Sequence, residues 1–217
     1  MKYKIAPSLL AADMTRLGEE VEAVIAAGAD LIHLDVMDNH YVPNLTMGPF
    51  ICEALTKRFP QLRVDVHLMA SPVDELIKAF SKAGASQISI HPEATLHLDR
   101  SLQLIKEQGV KAGIALNPAT SIDYLNWCAH QLEFVLIMTV NPGFGGQKLI
   151  PQVLQKIKAV HAAFPHLEIA VDGGVTLENI HSLAKAGASF FIAGSSVFST
   201  KNYQQTIASM RKALQTE

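Results

Sequence analysis

Cysteine is scarce. Cys52 and Cys128 are the only two, too few and too far apart for a disulfide framework, which points to a reducing compartment. No apolar stretch approaches the ~20 residues of a membrane span, and low-complexity sequence is missing, which excludes disorder as the main state. Basic runs are absent as well. Lys and Arg number 18 against 20 Asp and Glu, a balance that argues against nucleic acid as a partner. No Gly-x-Gly-x-x-Gly follows the first apolar run, so no nucleotide or redox cofactor is expected. The first dozen residues carry two lysines and a short apolar run that could pass for a signal peptide, but Pro7, Ser8 and Asp13 speak against it. The 217 residues, 49% hydrophobic, suffice for one substantial core and not for two domains with separate jobs. One cytoplasmic domain over residues 1–217 is expected.

Short apolar runs alternate with longer amphipathic stretches throughout. Strands are predicted at Lys4–Leu9, Asp30–Val36, Arg63–Leu68, Gln87–Ile90, Lys111–Leu116, Leu132–Met138, Leu167–Val171 and Ser189–Ile192, about 27 residues per strand-plus-helix unit. Helical spacing lies between them, as in Leu102 and Ile105 or Val153, Ile157 and Val160. Ser71-Pro72 ahead of Asp74 reads as an N-cap, a proline at the first helical position and an acid in the first turn. Gly28, Gly84 and Gly187 each sit between two alanines just before a strand, where a left-handed residue would close a helix. Near-continuous apolar strands in strict alternation with helices mean a parallel sheet covered on its outer face. Eight such units without a linker predict an α/β fold of the (β/α)8 TIM barrel type.

Chemistry in such barrels sits at the C-terminal strand ends. Those ends hold Ser8, His33, Asp35, Met37, His67, Met69, His91, Asn117, Met138, Asp172, Gly194 and Ser195. Residues two apart on a strand share a face, so His33, Asp35 and Met37 project together, as do His67 and Met69. Two imidazoles and two carboxylates, His33, Asp35, His67 and Asp172, could converge on one divalent cation, Zn2+, Fe2+, Mn2+ or Co2+. Singly, each has an ordinary explanation, a hydrogen-bonded histidine or a loop-capping aspartate; the conjunction carries the expectation. His91 and His97 read as loop or supporting polar groups rather than ligands, and Asp38-Asn39-His40 as loop chemistry.

Glycine clusters come late in the chain: Gly143, Gly145 and Gly146 around Phe144, then Gly173-Gly174, then Gly194-Ser195. They follow strands six, seven and eight. Glycine lets backbone N–H groups approach an anion, and the loops after the last two strands of a barrel often hold a phosphate. A phosphate grip that needs no basic side chain is predicted there.

These motifs, in this order, resemble the ribulose-phosphate 3-epimerase family over essentially the whole chain. The resemblance rests on Ile5-Ala6-Pro7-Ser8-Leu9-Leu10, His33-Leu34-Asp35-Val36-Met37-Asp38, Val42-Pro43-Asn44 and Asp65-Val66-His67-Leu68-Met69. It continues through Met138 to Gln147 and Val171-Asp172-Gly173-Gly174. It implies that Asp35 and Asp172 are the catalytic acid/base pair and that His33, Asp35, His67 and Asp172 are metal ligands. It further implies that Ser8 and His67 contact substrate, that the glycine clusters grip phosphate, and that Met37, Met69 and Met138 cap the reacting carbons. Asn39 departs from the pattern, since many members have Gly there; it lies in a loop that tolerates a left-handed Asn.

The implied activity is interconversion of D-ribulose 5-phosphate and D-xylulose 5-phosphate in the pentose phosphate pathway. Inverting a carbon beside a ketone takes a base on one face and an acid on the other, through an enediolate. The same chemistry on the six-carbon D-allulose 6-phosphate is the nearest rival. A decarboxylase on a similar barrel would call for Asp-x-Lys-x-x-Asp on strand three, where this chain has Asp65-Val66-His67. A non-catalytic sugar-phosphate binder would have no use for two opposed carboxylates. A small sugar phosphate is the expected partner, with no nucleic acid or membrane, in a homo-oligomer.

Overall fold

A computed structural model describes residues 3–215. Eight strands run β1 Lys4–Pro7, β2 Ile32–Met37, β3 Val64–Met69, β4 Gln87–Ile90, β5 Lys111–Leu116, β6 Phe134–Met138, β7 Glu168–Asp172 and β8 Phe190–Ala193. All seven ladders are parallel, and each strand lies beside its successor from β2 to β8, with β8 against β1. The seam between β1 and β2 is thin. It consists of a parallel bridge from Ser8 to His33 and hydrogen bonds that tie Asp30 to Ile5 in both directions. The expected (β/α)8 barrel is the observed one, and the predicted strand bounds shift by at most two residues.

The helices are α1 Leu17–Ala26, α2 Pro49–Arg58, α3 Asp74–Lys82, α4 Leu98–Glu107, α5 Leu125–Cys128, α6 Val153–Ala163, α7 Ile180–Ala186, α8 Ser195–Phe198 and α9 Tyr203–Gln215. Their apolar stripes bury Leu102 and Ile105 of α4 and Val153, Ile157 and Val160 of α6 against the outer face of the sheet. Strand residues face two ways, which is why the runs carry no polar alternation: β2 and β3 are buried at all six positions. Alternate residues build a separate inner core, with Phe134, Leu136, Phe190 and Ile192 among its members. Removing either ring would cost about 3–5 kcal/mol. The glycines expected to close helices do so: Gly28, Gly84 and Gly187 have φ of 94°, 94° and 117°.

One local prediction fails. Ser71 is not the N-cap of α3 and Pro72 is not its first residue: the helix begins at Asp74, with Val73 at the cap position and no side-chain cap. Ser71 instead donates its N–H to Asp38 and its hydroxyl to the Ala94 carbonyl, joining the loops after β2, β3 and β4. The acid expected in the first turn, Asp74, is there, with Glu75 beside it. Asn39, with φ of 58°, is the one non-glycine residue of positive φ among the described residues, as its loop position predicts.

Candidate functional site

Strand register stacks the polar residues into layers. His33 of β2 pairs with Asp65 of β3, which pairs with Gln87 of β4; one pleat higher, Asp35 pairs with His67 and His67 with Ser89. Met37 and Met69 form the next step up. On the far side, Met138 of β6 pairs with Asp172 of β7. The inward alternation that fills the lower barrel with apolar side chains therefore delivers imidazoles and carboxylates to its upper end.

His33, Asp35, His67 and Asp172 are all buried, and one ligand atom from each falls within 4.8 Å of the others. Asp35 Oδ1 lies 3.3 Å from His33 Nε2 and 3.3 Å from His67 Nδ1, and Asp172 Oδ2 lies 3.8 Å from each of the same two nitrogens. Donors bound at ~2.1 Å around one tetrahedral ion would sit roughly 3.4 Å apart. The set fits a divalent cation. Mixed imidazole and carboxylate donors admit zinc, iron, manganese or cobalt alike.

The electrostatics agree. Burial opposes ionisation of Asp35, yet the charge of His33 and hydrogen bonds from both histidines hold its carboxyl far below the usual range. Asp172 goes the opposite way: burial, then the charge of Asp35, pushes it up to about 8. His33 rises despite burial, because Asp35 and Asp65 flank it, whereas burial lowers His67. A buried pocket with this much negative charge draws in either protons or a cation.

Above the four lies a cavity of about 370 Å³. Its lining includes Ser8, Asp35, Asp172 and the methionines Met37, Met69 and Met138. The methionines are nearly inaccessible, and Val42 packs with Met37 and Met69. The opposite wall is the glycine rim: Gly143, Phe144, Gly145, Gly146, Gly173, Gly174, Gly194 and Ser195 all line the cavity. Gly174 shows why glycine is needed there. At φ of 63°, a Cβ on it would stand 2.6 Å from the Leu149 backbone nitrogen. Gly194 precedes α8, whose first N–H groups have no partner within the helix. Among the described residues, the exposed Lys148 is the single basic residue of the lining.

Two expected contacts take a different form. Ser8 lines the cavity, but its hydroxyl donates to Asp35 Oδ2 at 2.6 Å and so also orients the carboxylate. His67 is wholly buried and absent from the cavity lining, with Nδ1 toward the two aspartates and Nε2 2.8 Å from His91 Nε2. His97 ends up at the start of α4, away from the site.

Sequence reasoning missed Asp65. This buried carboxylate accepts from His33 Nδ1 at 2.6 Å and from the Gln87 amide at 2.9 Å, fixing the ring so that Nε2 faces the cluster. The signal was present, because Asp65 precedes His67 by two and shares its face.

Comparison with known proteins agrees with the geometry. The chain is 51% identical over 218 residues to a ribulose-phosphate 3-epimerase of Buchnera aphidicola, covering 99% of this chain and 96% of that one. It is 50% identical over 217 residues to the enzyme of that name from Escherichia coli K12, covering 98% and 96%. Among solved structures, 3-keto-L-gulonate-6-phosphate decarboxylase of Vibrio cholerae superposes with a TM-score of 0.76 over 99% of this chain and 98% of that one. At 17% identity that likeness concerns the fold alone. The model of the ribulose-phosphate 3 epimerase family matches residues 4–198, and with relatives of this identity over nearly the full length, the chain belongs to that family.

Proposed function

We propose that the protein interconverts D-ribulose 5-phosphate and D-xylulose 5-phosphate by proton transfer at C3, a step of the pentose phosphate pathway. One observation carries the mechanism: Asp35 and Asp172 are the two carboxylates lining the cavity, and they arrive from strands far apart in the barrel order. Carboxylates so placed can serve opposite faces of one carbon, one removing a proton while the other delivers one. Ser8 and the two histidines keep Asp35 aligned. Met37, Met69 and Met138 keep water from the reacting carbons, which strengthens every electrostatic interaction beneath them.

His33, Asp35, His67 and Asp172 would hold one divalent cation per chain. That cation supplies Lewis-acid stabilisation of the negative charge that develops on substrate oxygens in the enediolate. The rim from Gly143 to Gly146, with Gly173, Gly174, Gly194 and Ser195, receives the phosphate on backbone N–H groups. No nucleotide or redox cofactor enters the scheme, since the reaction moves a proton and no hydride. A homo-oligomer in the cytoplasm completes the proposal. The free, buried Cys52 and Cys128 suit a reducing compartment, and no helix among the described residues is long and apolar enough to cross a membrane.

The test offers both D-ribulose 5-phosphate and D-allulose 6-phosphate to purified protein, with and without chelator. Turnover of the pentose phosphate that stops on exhaustive chelation and returns with a divalent ion is the expected result. Preferential turnover of the six-carbon sugar, or full activity in metal-free protein, would overturn the substrate or the metal assignment respectively.

A further inference from the structure

Four carbonyls of the glycine rim are each held by a side chain. Asn44 Nδ2 donates to the Gly143 carbonyl at 2.8 Å, Gln147 Nε2 to that of Phe144 at 2.9 Å and Asn179 Nδ2 to that of Gly174 at 2.7 Å, while the Thr139 hydroxyl donates to that of Gly173. In a trans peptide the C=O and the N–H that follows it point in opposite directions. Each bond therefore aims one N–H away from the donor, namely those of Phe144, Gly145, Gly174 and Val175. None of these four N–H groups has an acceptor among the described residues, and all four residues line the cavity.

Asn44 differs from the other three holders. Gln147 and Asn179 reach carbonyls three and five residues back, and Thr139 follows β6 beside β7, whereas Asn44 comes from the loop after β2, 99 positions from its partner. That loop is bound closely to its own strand. The Thr46 hydroxyl donates to the Asp35 carbonyl at 2.5 Å and accepts from the Met37 N–H at 2.9 Å, and the Asn39 N–H donates to the Asn44 carbonyl at 2.7 Å. Asn44 Oδ1 takes the Leu45 N–H at 2.9 Å, which leaves Nδ2 for Gly143. Packing backs the bond, because a Cβ on Gly143 would stand 3.5 Å from Val42 and 3.6 Å from Pro43.

We propose that Asn44 is a positioning residue for the phosphate: it turns the Gly143–Phe144 peptide so that the Phe144 N–H faces the cavity, and it ties the rim to the strand that carries Asp35. The inference rests on the reading of the rim as the phosphate site given under the proposed function, and deepens it. Asn44 is not part of the cavity lining. It acts through the peptide it holds.

The experiment compares the metal-loaded parent with Asn44→Leu and Asn44→Gln in two measurements. One is steady-state kinetics on D-ribulose 5-phosphate; the other is calorimetric titration with D-ribitol 5-phosphate, which carries the phosphate but has no ketone and does not react. Asn44→Leu keeps the size of the side chain and donates nothing. KM and the dissociation constant for D-ribitol 5-phosphate should rise together by about tenfold, the loss of one charge-assisted hydrogen bond. The fall in kcat should be much smaller, and bound metal should be unchanged. Asn44→Gln, which still carries an amide donor, should recover part of the loss. Asn44→Leu with the parent's KM and dissociation constant overturns the proposal, as does a variant in which kcat and metal content fall while KM holds. So does Asn44→Gln that binds as weakly as Asn44→Leu. Should Asn44→Leu fail to fold, Asn44→Asp keeps the shape and the Leu45 contact without the donor, and an unchanged KM in it overturns the proposal equally. A parent that binds D-ribitol 5-phosphate yet leaves D-ribulose 5-phosphate unconverted refutes the proposed reaction alone, and the titration still decides on Asn44.

Discussion

The mouth of the barrel has two unlike halves. On the β2–β3–β4 side, side chains do everything: five buried histidines and aspartates, His33, Asp35, Asp65, His67 and His91, are joined ring to carboxylate or ring to ring. On the β6–β7–β8 side six glycines, Gly143, Gly145, Gly146, Gly173, Gly174 and Gly194, bring backbone to the cavity wall. Asp172 stands at the junction, at the end of β7 next to Gly173. Under the proposed function, the difference follows from what each half would face. Localised charge at a reacting centre calls for groups aimed to within a fraction of an ångström, which buried side chains in a strand register provide. A phosphate offers several equivalent oxygens, and a curved run of N–H groups meets them without paying to desolvate a buried cation.

Breaking the side-chain half at its chemical pair should have the largest effect. Asp35→Asn and Asp172→Asn should each lower net epimerisation by at least ~10²–10⁴-fold. In deuterated water each should still wash deuterium into one ketose phosphate, and the two mutants should act on opposite epimers. Because both residues are also proposed ligands, metal content is measured in parallel and exchange is read only in metal-replete protein. Both mutants labelling the same epimer would refute the two-carboxylate scheme.

Loss of a ligand, or of its support, comes next. His67→Ala should abolish stable metal retention. Asp65→Asn, one bond removed from the cluster, should weaken it by about 10–100-fold. Elemental analysis after dialysis against a weak chelator separates the two. Equal retention in Asp65→Asn and the parent would mean that the His33 ring holds its orientation without the carboxylate.

The backbone half should respond in KM rather than in metal content. A Cβ at Gly194 would stand 3.4 Å from Ala11 and 3.7 Å from Ser8, ordinary contacts, and because Gly194 lines the cavity the bulk of Gly194→Val should narrow it. Displacing a phosphate from one charge-assisted N–H contact costs about 1.5 kcal/mol, roughly a tenfold rise in KM. Far-UV dichroism should be unchanged. An unaltered KM would remove the rim as the phosphate site.

The smallest effect is expected at Lys148. It is exposed, and a solvated charge contributes ~0–1 kcal/mol, so Lys148→Ala should raise KM less than about fivefold. A larger rise would mean that the glycine wall depends on a basic side chain after all, and the contrast between the halves would narrow.

Much of this was legible in one dimension. Apolar runs such as Val135 to Met138, alternating with helical stripes and repeated Ala-Gly-Ala stops, specify a parallel, helix-covered sheet, because a strand buried on both faces has no room for polar alternation. The i, i+2 spacing of His33, Asp35 and Met37 put them on one face, and the late glycines marked a rim that lines the cavity. Sequence could not say which residues of neighbouring strands share a layer. That is a matter of register and closure: Asp65 meets His33, and Ser8 meets Asp35, only because β2 pairs level with β3 and the thin seam brings β1 beside β2. Whether His91 was a loop or a supporting group stayed open for the same reason, since its partner is 24 positions away in sequence and 2.8 Å away in space. The choice of residue types and their period along each strand is local information; the proton held between two rings belongs to a closed barrel, where strands distant in the chain fix each other's side chains.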